Sequence, residues 1–171
     1  MRGGNKMRFL IVSGGEATDE FVENVIKRGG YDVILAADSG MDFLYRTKIL
    51  PDIIVGDFDS VDPEVLEFFR EHEEIDICAL NPVKDDTDTE FAIRESIRRG
   101  ATEITIIGGT GTRLDHVLGN ISLLGIGLEE DVRMELLDAN NRIRMTDHSV
   151  VLKKKQQYGK YLSLLPYSEK V

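Results

Sequence analysis

The chain has 171 residues and a formal net charge of -10, because 31 aspartates and glutamates outnumber 21 lysines and arginines. Its length suits one full hydrophobic core and the start of a second small domain, and its acidity argues against nucleic acid as a partner, since phosphate backbones are bound by clustered Lys and Arg. No apolar stretch approaches the length of a membrane span or a signal peptide, so we expect a cytoplasmic protein with no membrane partner.

Short apolar runs alternate with amphipathic stretches over the first 130 residues, which is typical of a mostly parallel sheet with flanking helices. The first strand is predicted at residues 9–13 and ends at Gly14 and Gly15. Asp62 is a predicted helix N-cap, because Pro63 follows it at the first helical position. The next strands are predicted at residues 33–37, 53–55 and 75–80, and the helices at residues 19–28, 40 to about 48, and 63 to about 72.

Residues 87–90, with the sequence TDTE, form a capping-box pattern that predicts a helix reaching Arg99. A fifth strand is predicted at residues 104–107, followed by the glycine-rich sequence GGTGTR and another helix. Three glycines weaken that helix, so we expect either close packing around them or an early end near residues 124–128. Its expected apolar face consists of Leu114, Val117, Leu118, Ile121 and Leu124.

The pattern changes at Val132, where short alternating runs follow one another without helices between them. Runs at residues 133–137 and 142–145 flank a turn at 138–141, and further strands are predicted at 150–152 and 161–165. We therefore place a domain boundary between Glu129 and Val132. The predicted fold is an α/β domain at residues 1–130, followed by a partial all-β, sandwich-like domain at residues 131–171.

Aspartates cluster where the predicted strands end, and the carboxyl ends of parallel strands are where open α/β sheets build their sites. Two carboxylates ~4 Å apart repel by roughly 4 kcal/mol at an effective dielectric constant of 20, so several of them on one rim call for a counter-charge. A divalent cation is the simplest one. The aspartates concerned are Asp38, Asp57, Asp59, Asp85, Asp86, Asp88 and Asp115.

The sequence GDFDS gives the clearest metal-binding motif. In an extended segment Asp57 and Asp59 would point to the same side and could bind Mg²⁺, although a D-x-D pattern is also common on solvated loops. In KDDTDTE, acids in the first helical turn and a capping box explain part of the pattern. They do not explain Lys84, which could bind phosphate while Asp85 or Asp88 serves the metal.

The sequence GGTGTRLDH combines glycines that let the backbone approach a ligand with donors for phosphate oxygens from Thr110, Thr112 and Arg113. Its spacing matches neither the dinucleotide-binding fingerprint nor the P-loop. Asp115 has two open interpretations: it caps the following helix, or it positions a nucleotide or metal.

Taken in this order, SGGE, AADSG, PDIIVGDFDS, KDDTDTE and GGTGTRLDHVLGN resemble the thiamine pyrophosphokinase family, especially its bacterial form. The resemblance implies transfer of pyrophosphate from ATP to the hydroxyl of thiamine, with Mg²⁺, in a homodimer. It also implies a nucleotide-binding α/β domain followed by a thiamine-binding β-sandwich. Members of the family continue for several more strands, including a Ser-rich stretch of the thiamine pocket, whereas this sequence stops at Val171, so we expect an incomplete acceptor pocket.

The resemblance also implies roles for individual residues. Mg²⁺ and the ATP phosphates would be held by Asp57, Asp59 and either Asp85 or Asp88, with Asp38 nearby as a support or as the base for the thiamine hydroxyl. Nucleotide-binding roles fall to Gly14, Lys84, Asp85, Thr110, Thr112, Arg113 and Asp115. Three alternatives stay open: a pyrophosphokinase acting on a hydroxymethylpterin, a truncated Mg·ATP-binding module without turnover, and a metal-dependent phosphohydrolase.

Overall fold

A computed structural model describes residues 6–59, 61–79 and 87–167 of the chain. It contains one seven-stranded sheet with helices on both faces. The strands are β1 (Arg8–Val12), β2 (Val33–Ala37), β3 (Ile53–Gly56), β4 (Asp76–Ala79), β5 (Glu103–Ile107), β6 (Arg133–Leu137) and β7 (Arg142–Ile143). The helices are α1 (Asp19–Gly29), α2 (Gly40–Thr47), α3 (Pro63–Arg70), α4 (Asp88–Arg98) and α5 (Leu114–Glu129).

The sheet has the strand order β4-β3-β2-β1-β5-β6-β7, with β1 near its centre. Strands β1 to β6 pair in parallel, and only β7 runs antiparallel, to β6. The chain extends the sheet from β1 to β4 on one side and then crosses to the other side of β1 for β5. This reversal places a topological switch point between β1 and β5, and their carboxyl ends meet there.

Alternate residues of β1 face two separate apolar layers, as the two-residue period of a strand requires. Phe9 and Ile11 lie in the layer that contains residues of α4 and α5. Leu10 and Val12 lie in the layer that contains residues of α1, α2 and α3. Both faces of the sheet are covered, which confirms the predicted mostly parallel α/β architecture.

Three helices begin where the sequence predicts, because a side chain accepts a hydrogen bond from an exposed N–H of the first turn. The hydroxyl of Thr18 accepts from the N–H of Phe21, the carboxylate of Asp62 from Glu64, and the hydroxyl of Thr87 from Glu90. The Thr87 cap fixes the beginning of α4 next to the carboxyl ends of the strands.

The second half of the chain departs from the sequence-based expectations in two respects. β6 pairs in parallel with β5 and so belongs to the main sheet, although the predicted boundary at residues 129–132 lies before it. No strand follows Ile143 among the described residues, so the strands predicted at 150–152 and 161–165 are wrong. Those segments pair with neither edge strand of the sheet, and the side chains of Val151 and Leu165 are 86% and 87% exposed. The assignment of residues 131–171 to a separate β-sandwich therefore fails for β6 and stays a prediction for the residues after β7.

The predicted apolar face of α5 is only partly buried. Leu124 is buried, whereas Leu114 and Leu118 are exposed by 72% and 64%. Leu114 and Leu118 therefore lie outside the core, which α5 joins through Ile121, Leu123 and Leu124. No helix in the described part of the chain is both long and apolar enough to cross a membrane.

A network of charges joins the last turn of α4 to the edge strand β4. The carboxylate of Glu95, which is 8% exposed, accepts hydrogen bonds from Arg98 and Arg99, and Arg99 also donates to Asp76 of β4. Although burial opposes it, hydrogen bonding to Arg98 and Arg99 lowers the pKa of Glu95 from 4.5 to about 2.

We expect Glu95→Gln to lower the free energy of unfolding at pH 7 by about 2 kcal/mol, because the lowered pKa means that the folded state favours the ionised form. The contribution is complete above pH 4.5 and disappears as the pH falls towards 2. Urea denaturation from pH 7 to pH 3 measures it. The same substitution at the exposed Glu67 is the control, and an equal cost for Glu95→Gln at both pH values would contradict the assignment.

Candidate functional site

The loops after β1 and β5 are joined by backbone hydrogen bonds beyond the ends of the strands. The N–H of Gly15 donates to the carbonyl of Gly108 at 2.7 Å, and the N–H of Glu16 donates to Thr110 at 2.9 Å. The two strands thus continue as paired loops, with the sequence SGGE lying along GGTGTR. This pairing places the two glycine-rich motifs side by side at the rim.

The glycines of this rim are required by close packing. A Cβ on Gly15 would lie 2.3 Å from the carbonyl oxygen of Gly108, and one on Gly14 would lie 1.8 Å from the hydroxyl oxygen of Ser39. Gly108 also has a φ of +68°, in the left-handed region that favours glycine. The short loops after β1, β2 and β5 therefore touch one another directly.

Three of the predicted aspartates interact electrostatically at this rim. Partial burial raises the pKa of Asp88 at the start of α4, and the negative charges of Asp38 and Asp57 raise it further. Asp38 follows β2, and its backbone has a φ of +45°, held by a hydrogen bond from its N–H to the carbonyl of Val55. The structure therefore brings together aspartates from the ends of β2 and β3 and from the beginning of α4.

The chain turns between Asp57 and Asp59, so the expectation of an extended segment is wrong. Phe58 has a φ of +62°, and the N–H of Asp59 donates to Oδ1 of Asp57 at 3.1 Å. The turn arises because β3 ends at Gly56. Both aspartates are exposed. Their carboxylates are reached from solvent, and that of Asp57 is oriented by the backbone of its own loop.

Polar contacts that the sequence analysis missed hold the rim together. The hydroxyls of Ser13, after β1, and Thr89, in the first turn of α4, lie 3.1 Å apart, and the amide of Asn120 on α5 donates to the carbonyl of Gly109 at 2.7 Å.

Asp42, in the first turn of α2, lies near the aspartates of the rim and is influenced by the charge of Asp38. Burial raises its pKa, Arg46 opposes that effect, and Asp38 adds to it. The one sequence signal for the proximity of Asp42 to Asp38 is their separation of four residues.

Arg113 and Asp115 lie at the start of α5, on the other side of the glycine-rich loop. Arg113 occupies the N-cap position without a side-chain capping bond, so the capping interpretation of Asp115 is wrong. Asp115 instead accepts a hydrogen bond from Arg113 at 2.7 Å, and both side chains are 67% exposed. This pairing lowers the pKa of Asp115. Thr110 is half-buried in the loop, and Thr112 is exposed.

The predicted metal and phosphate ligands Lys84, Asp85 and Asp86 lie outside the described residues. Among the residues that the structure does describe, no group of three histidine, cysteine, aspartate or glutamate side chains is arranged to hold a metal ion. The chemistry of the rim nevertheless suits Mg²⁺, because carboxylate oxygens are its preferred ligands and the charges of Asp38 and Asp57 both repel that of Asp88.

Comparison with known proteins identifies the family. The sequence model of the thiamin pyrophosphokinase catalytic domain matches residues 28–136, which is more than half of the chain. The chain belongs to this family. The thiamine pyrophosphokinase of Bacillus subtilis is 33% identical over 140 residues, covering 80% of this chain and 64% of that protein. The comparison thus supports thiamine pyrophosphokinase and does not favour a pterin-directed enzyme.

Solved structures of the family share this fold. The crystal structure of the Bacillus subtilis thiamine pyrophosphokinase superposes with a TM-score of 0.69 at 27% identity, covering 80% of this chain and 63% of that chain. A family protein from Enterococcus faecalis gives a TM-score of 0.66 at 33% identity, covering 80% and 64% of the two chains. This chain therefore spans less than two thirds of the length of these relatives.

We expect Gly15→Ala to lower the free energy of unfolding by more than about 1 kcal/mol, because the added methyl group would collide with two backbone carbonyls. Gly119→Ala is the matched control: nothing lies within 4 Å of its added methyl group, in the middle of α5. There the same change should stabilise the protein by about 0.5 to 1 kcal/mol. Thermal and urea unfolding of both variants would check this, and equal effects would contradict the packing argument.

Without Mg²⁺, Asp88→Asn should stabilise the protein at pH 7. An acid whose pKa is raised in the folded state binds its proton more tightly there, so ionisation lowers stability as the pH rises through that raised pKa. Allowing for solvent screening, we expect a gain of a few tenths of a kcal/mol to about 1 kcal/mol. The gain should shrink in acid, below the ordinary range of aspartate. Loss of stability at pH 7 would contradict the repulsion.

Proposed function

We propose that this protein transfers the pyrophosphoryl group of ATP to the hydroxyl of thiamine, giving thiamine diphosphate and AMP. The observation that carries the proposal is the match of residues 28–136 to the thiamin pyrophosphokinase catalytic domain. The interacting aspartates Asp38, Asp57 and Asp88 at the carboxyl ends of the strands support it, since this is where a polyphosphate and its metal ion would be bound.

The edge of the sheet that carries Asp38, Asp57 and Asp88 is called the acidic rim. In this proposal the acidic rim binds the ATP phosphates through Mg²⁺. Asp57, Asp59 and Asp88 hold the ion, together with Asp85 from the segment outside the described residues. Bound there, Mg²⁺ supplies the positive charge that lets an acidic protein bind a triphosphate. Asp57 is the best oriented of these ligands, because Asp59 donates a backbone hydrogen bond to one of its two carboxylate oxygens and leaves the other for the metal.

The chain's own residues contribute mainly by positioning the reactants. The hydroxyl oxygen of thiamine attacks the β-phosphorus, the bond from that phosphorus to the oxygen bridging it to the α-phosphate breaks, and AMP leaves with that oxygen. Asp38 accepts the hydroxyl proton or orients the groups that do. Lys84 and Arg113 neutralise phosphate charge, while Gly14, Thr110, Thr112 and Asp115 contact the nucleotide. Arg113 would have to exchange its ion pair with Asp115 for a phosphate.

We also propose a homodimer in which the residues after β7 contribute to a β-sandwich with a thiamine site. The exposure of apolar side chains after β7 supports an association of this segment. Examples are Tyr161 at 90%, Leu164 at 81% and Leu165 at 87%. Such side chains are seldom left in water as a contiguous group. A cytoplasmic location stays a prediction from the sequence.

Incubation with ATP, Mg²⁺ and thiamine tests the function directly, by coupled detection of AMP and thiamine diphosphate. AMP formed only with another acceptor, such as a hydroxymethylpterin, would contradict the thiamine assignment. Phosphate release without an acceptor would indicate a phosphohydrolase. Tight Mg·ATP binding without turnover would indicate a binding module.

We expect Asp59→Asn to lower kcat at least about 100-fold without unfolding the protein, because it removes a metal ligand that acts in the transition state. Its backbone N–H, which closes the turn on Asp57, is unchanged. Excess Mg²⁺ should restore part of the activity. The exposed Glu67→Gln serves as the control, and near-normal turnover of Asp59→Asn would show that the metal is held elsewhere.

A further inference from the structure

The turn that joins β6 to β7, at residues 138–141, forms one wall of a cleft beside the glycine-rich loop GGTGTR. The cleft has a volume of about 770 Å³ and lies between this turn, the loop after β1 and the first turns of α1 and α5. Asp138 and Asn141 of the turn and Thr110 of the glycine-rich loop all line it. The position of the turn therefore affects the loop to which Thr110 belongs.

Asp138 holds the turn and the glycine-rich loop together. Its carboxylate accepts hydrogen bonds from the backbone N–H groups of Asn140 and Asn141, each at 2.7 Å, and from the side-chain amide of Asn141 at 3.0 Å. Although burial opposes them, these bonds and one from the hydroxyl of Thr110 hold the pKa of Asp138 below its usual value. The carboxylate thus bonds within the turn and to the loop, and the backbone carbonyl of Asp138 is left for a different partner.

That partner is Tyr158, from the segment after β7. Its hydroxyl donates to the carbonyl oxygen of Asp138 at 2.6 Å, although the two residues are 20 positions apart in the chain. The guanidinium carbon of Arg142 lies 5.5 Å from the centre of the Tyr158 ring, which is within the range of a cation–π contact. Arg142 is held in turn by Glu135 of β6, with its Nε 3.1 Å from a carboxylate oxygen. The ring of Tyr158 is therefore fixed by β7 and its hydroxyl by the turn.

Few other contacts attach this segment to the protein. Two hydrogen bonds join residues 150–167 to the rest of the described chain: that of Tyr158, and one in which the hydroxyl of Tyr167 donates to the hydroxyl of Ser122 on α5 at 2.8 Å. Tyr161, between them, is 90% exposed. A segment with so few buried contacts detaches and rejoins by local unfolding at a low cost in free energy. Of its two hydrogen bonds, that of Tyr158 is the one that reaches the cleft.

We propose that Tyr158 is a positioning residue, which acts through the carbonyl of Asp138 and couples the docking of the segment after β7 to the glycine-rich loop. The inference rests on the proposed function, in which Thr110 contacts the nucleotide and the segment after β7 contributes to the thiamine site. ATP bound at the loop holds Tyr158 in its docked position, and docked Tyr158 strengthens the binding of ATP, because coupling between two sites is reciprocal. The acceptor half of the active site is thus attached more firmly once the donor is bound.

Trypsin measures the docking, because the three lysines at residues 153–155 are exposed within the same segment. Cleavage after them is followed by mass spectrometry, with and without Mg·ATP, in the unaltered protein and in Tyr158→Phe, which removes the hydroxyl and keeps the ring. We expect Mg·ATP to slow cleavage of the unaltered protein about 3- to 10-fold, as one net hydrogen bond permits, and that of Tyr158→Phe less than about 2-fold. In calorimetry, Mg·ATP should bind Tyr158→Phe more weakly by the same factor of about 3 to 10.

Tyr167→Phe is the matched control, because it removes a hydrogen bond that joins the same segment to α5 and not to the turn. Cleavage of this variant should become faster with and without Mg·ATP alike. The protection given by Mg·ATP and the affinity for it should therefore equal those of the unaltered protein.

Equal protection of Tyr158→Phe and the unaltered protein would overturn the inference, as would the absence of protection in the unaltered protein. A purely structural role of the hydroxyl predicts faster cleavage with an unchanged effect of Mg·ATP, so that result also counts against the coupling. These measurements need no turnover. Protection that depends on the hydroxyl of Tyr158, without formation of thiamine diphosphate, would uphold the inference while refuting the proposed function. Formation of thiamine diphosphate with equal protection of both proteins would do the reverse.

Discussion

The pairing of β1 with β5, continued through the loops beyond them, is the interaction on which the rest of the structure depends. The N–H of Ser13 donates to Ile107, and that of Gly15 to Gly108, so the hydrogen-bonded ladder runs past the ends of the strands. It brings SGGE against GGTGTR and fixes the switch point. A side chain on Gly15 would separate the two loops. The acidic rim and the cleft both lie next to these paired loops, so the pairing determines where both of them are positioned.

The aspartates of the rim repel one of their number, Asp88, and a bound cation would relieve that electrostatic cost. The three aspartates come from different segments. Asp38 follows β2, Asp57 follows β3, and Asp88 begins α4. The fold can tolerate their repulsion because its stability comes from apolar layers on both faces of the sheet and from the Glu95 network that anchors the far end of α4. Stability and ligand binding are thus supplied by different parts of the molecule. The site can therefore hold several negative charges without unfolding the protein.

Most of the fold could be predicted because strands and helices each carry a local signal. Apolar runs in the sequence predicted the strands. Helix starts were predictable because Thr18, Asp62 and Thr87 cap their helices through hydrogen bonds to residues at most three positions away. Errors arose where the deciding partner lay far away or was missing. Residues 150–152 and 161–165 have strand-like sequences but do not join either edge of the sheet, and Leu118 has helical spacing but is left 64% exposed.

The sequence by itself determined the order of the elements and the concentration of aspartates at the strand ends, since hydrophobic periodicity and residue type are local properties. Only the tertiary structure decided which aspartates interact, that the chain turns at Phe58, and that Ser13 lies against Thr89. Ser13 and Thr89 are 76 residues apart in the chain, and their contact depends on how α4 packs across the sheet. The physical reason is that periodicity records which face of an element is buried, whereas a binding site depends on distances between elements, which packing alone sets.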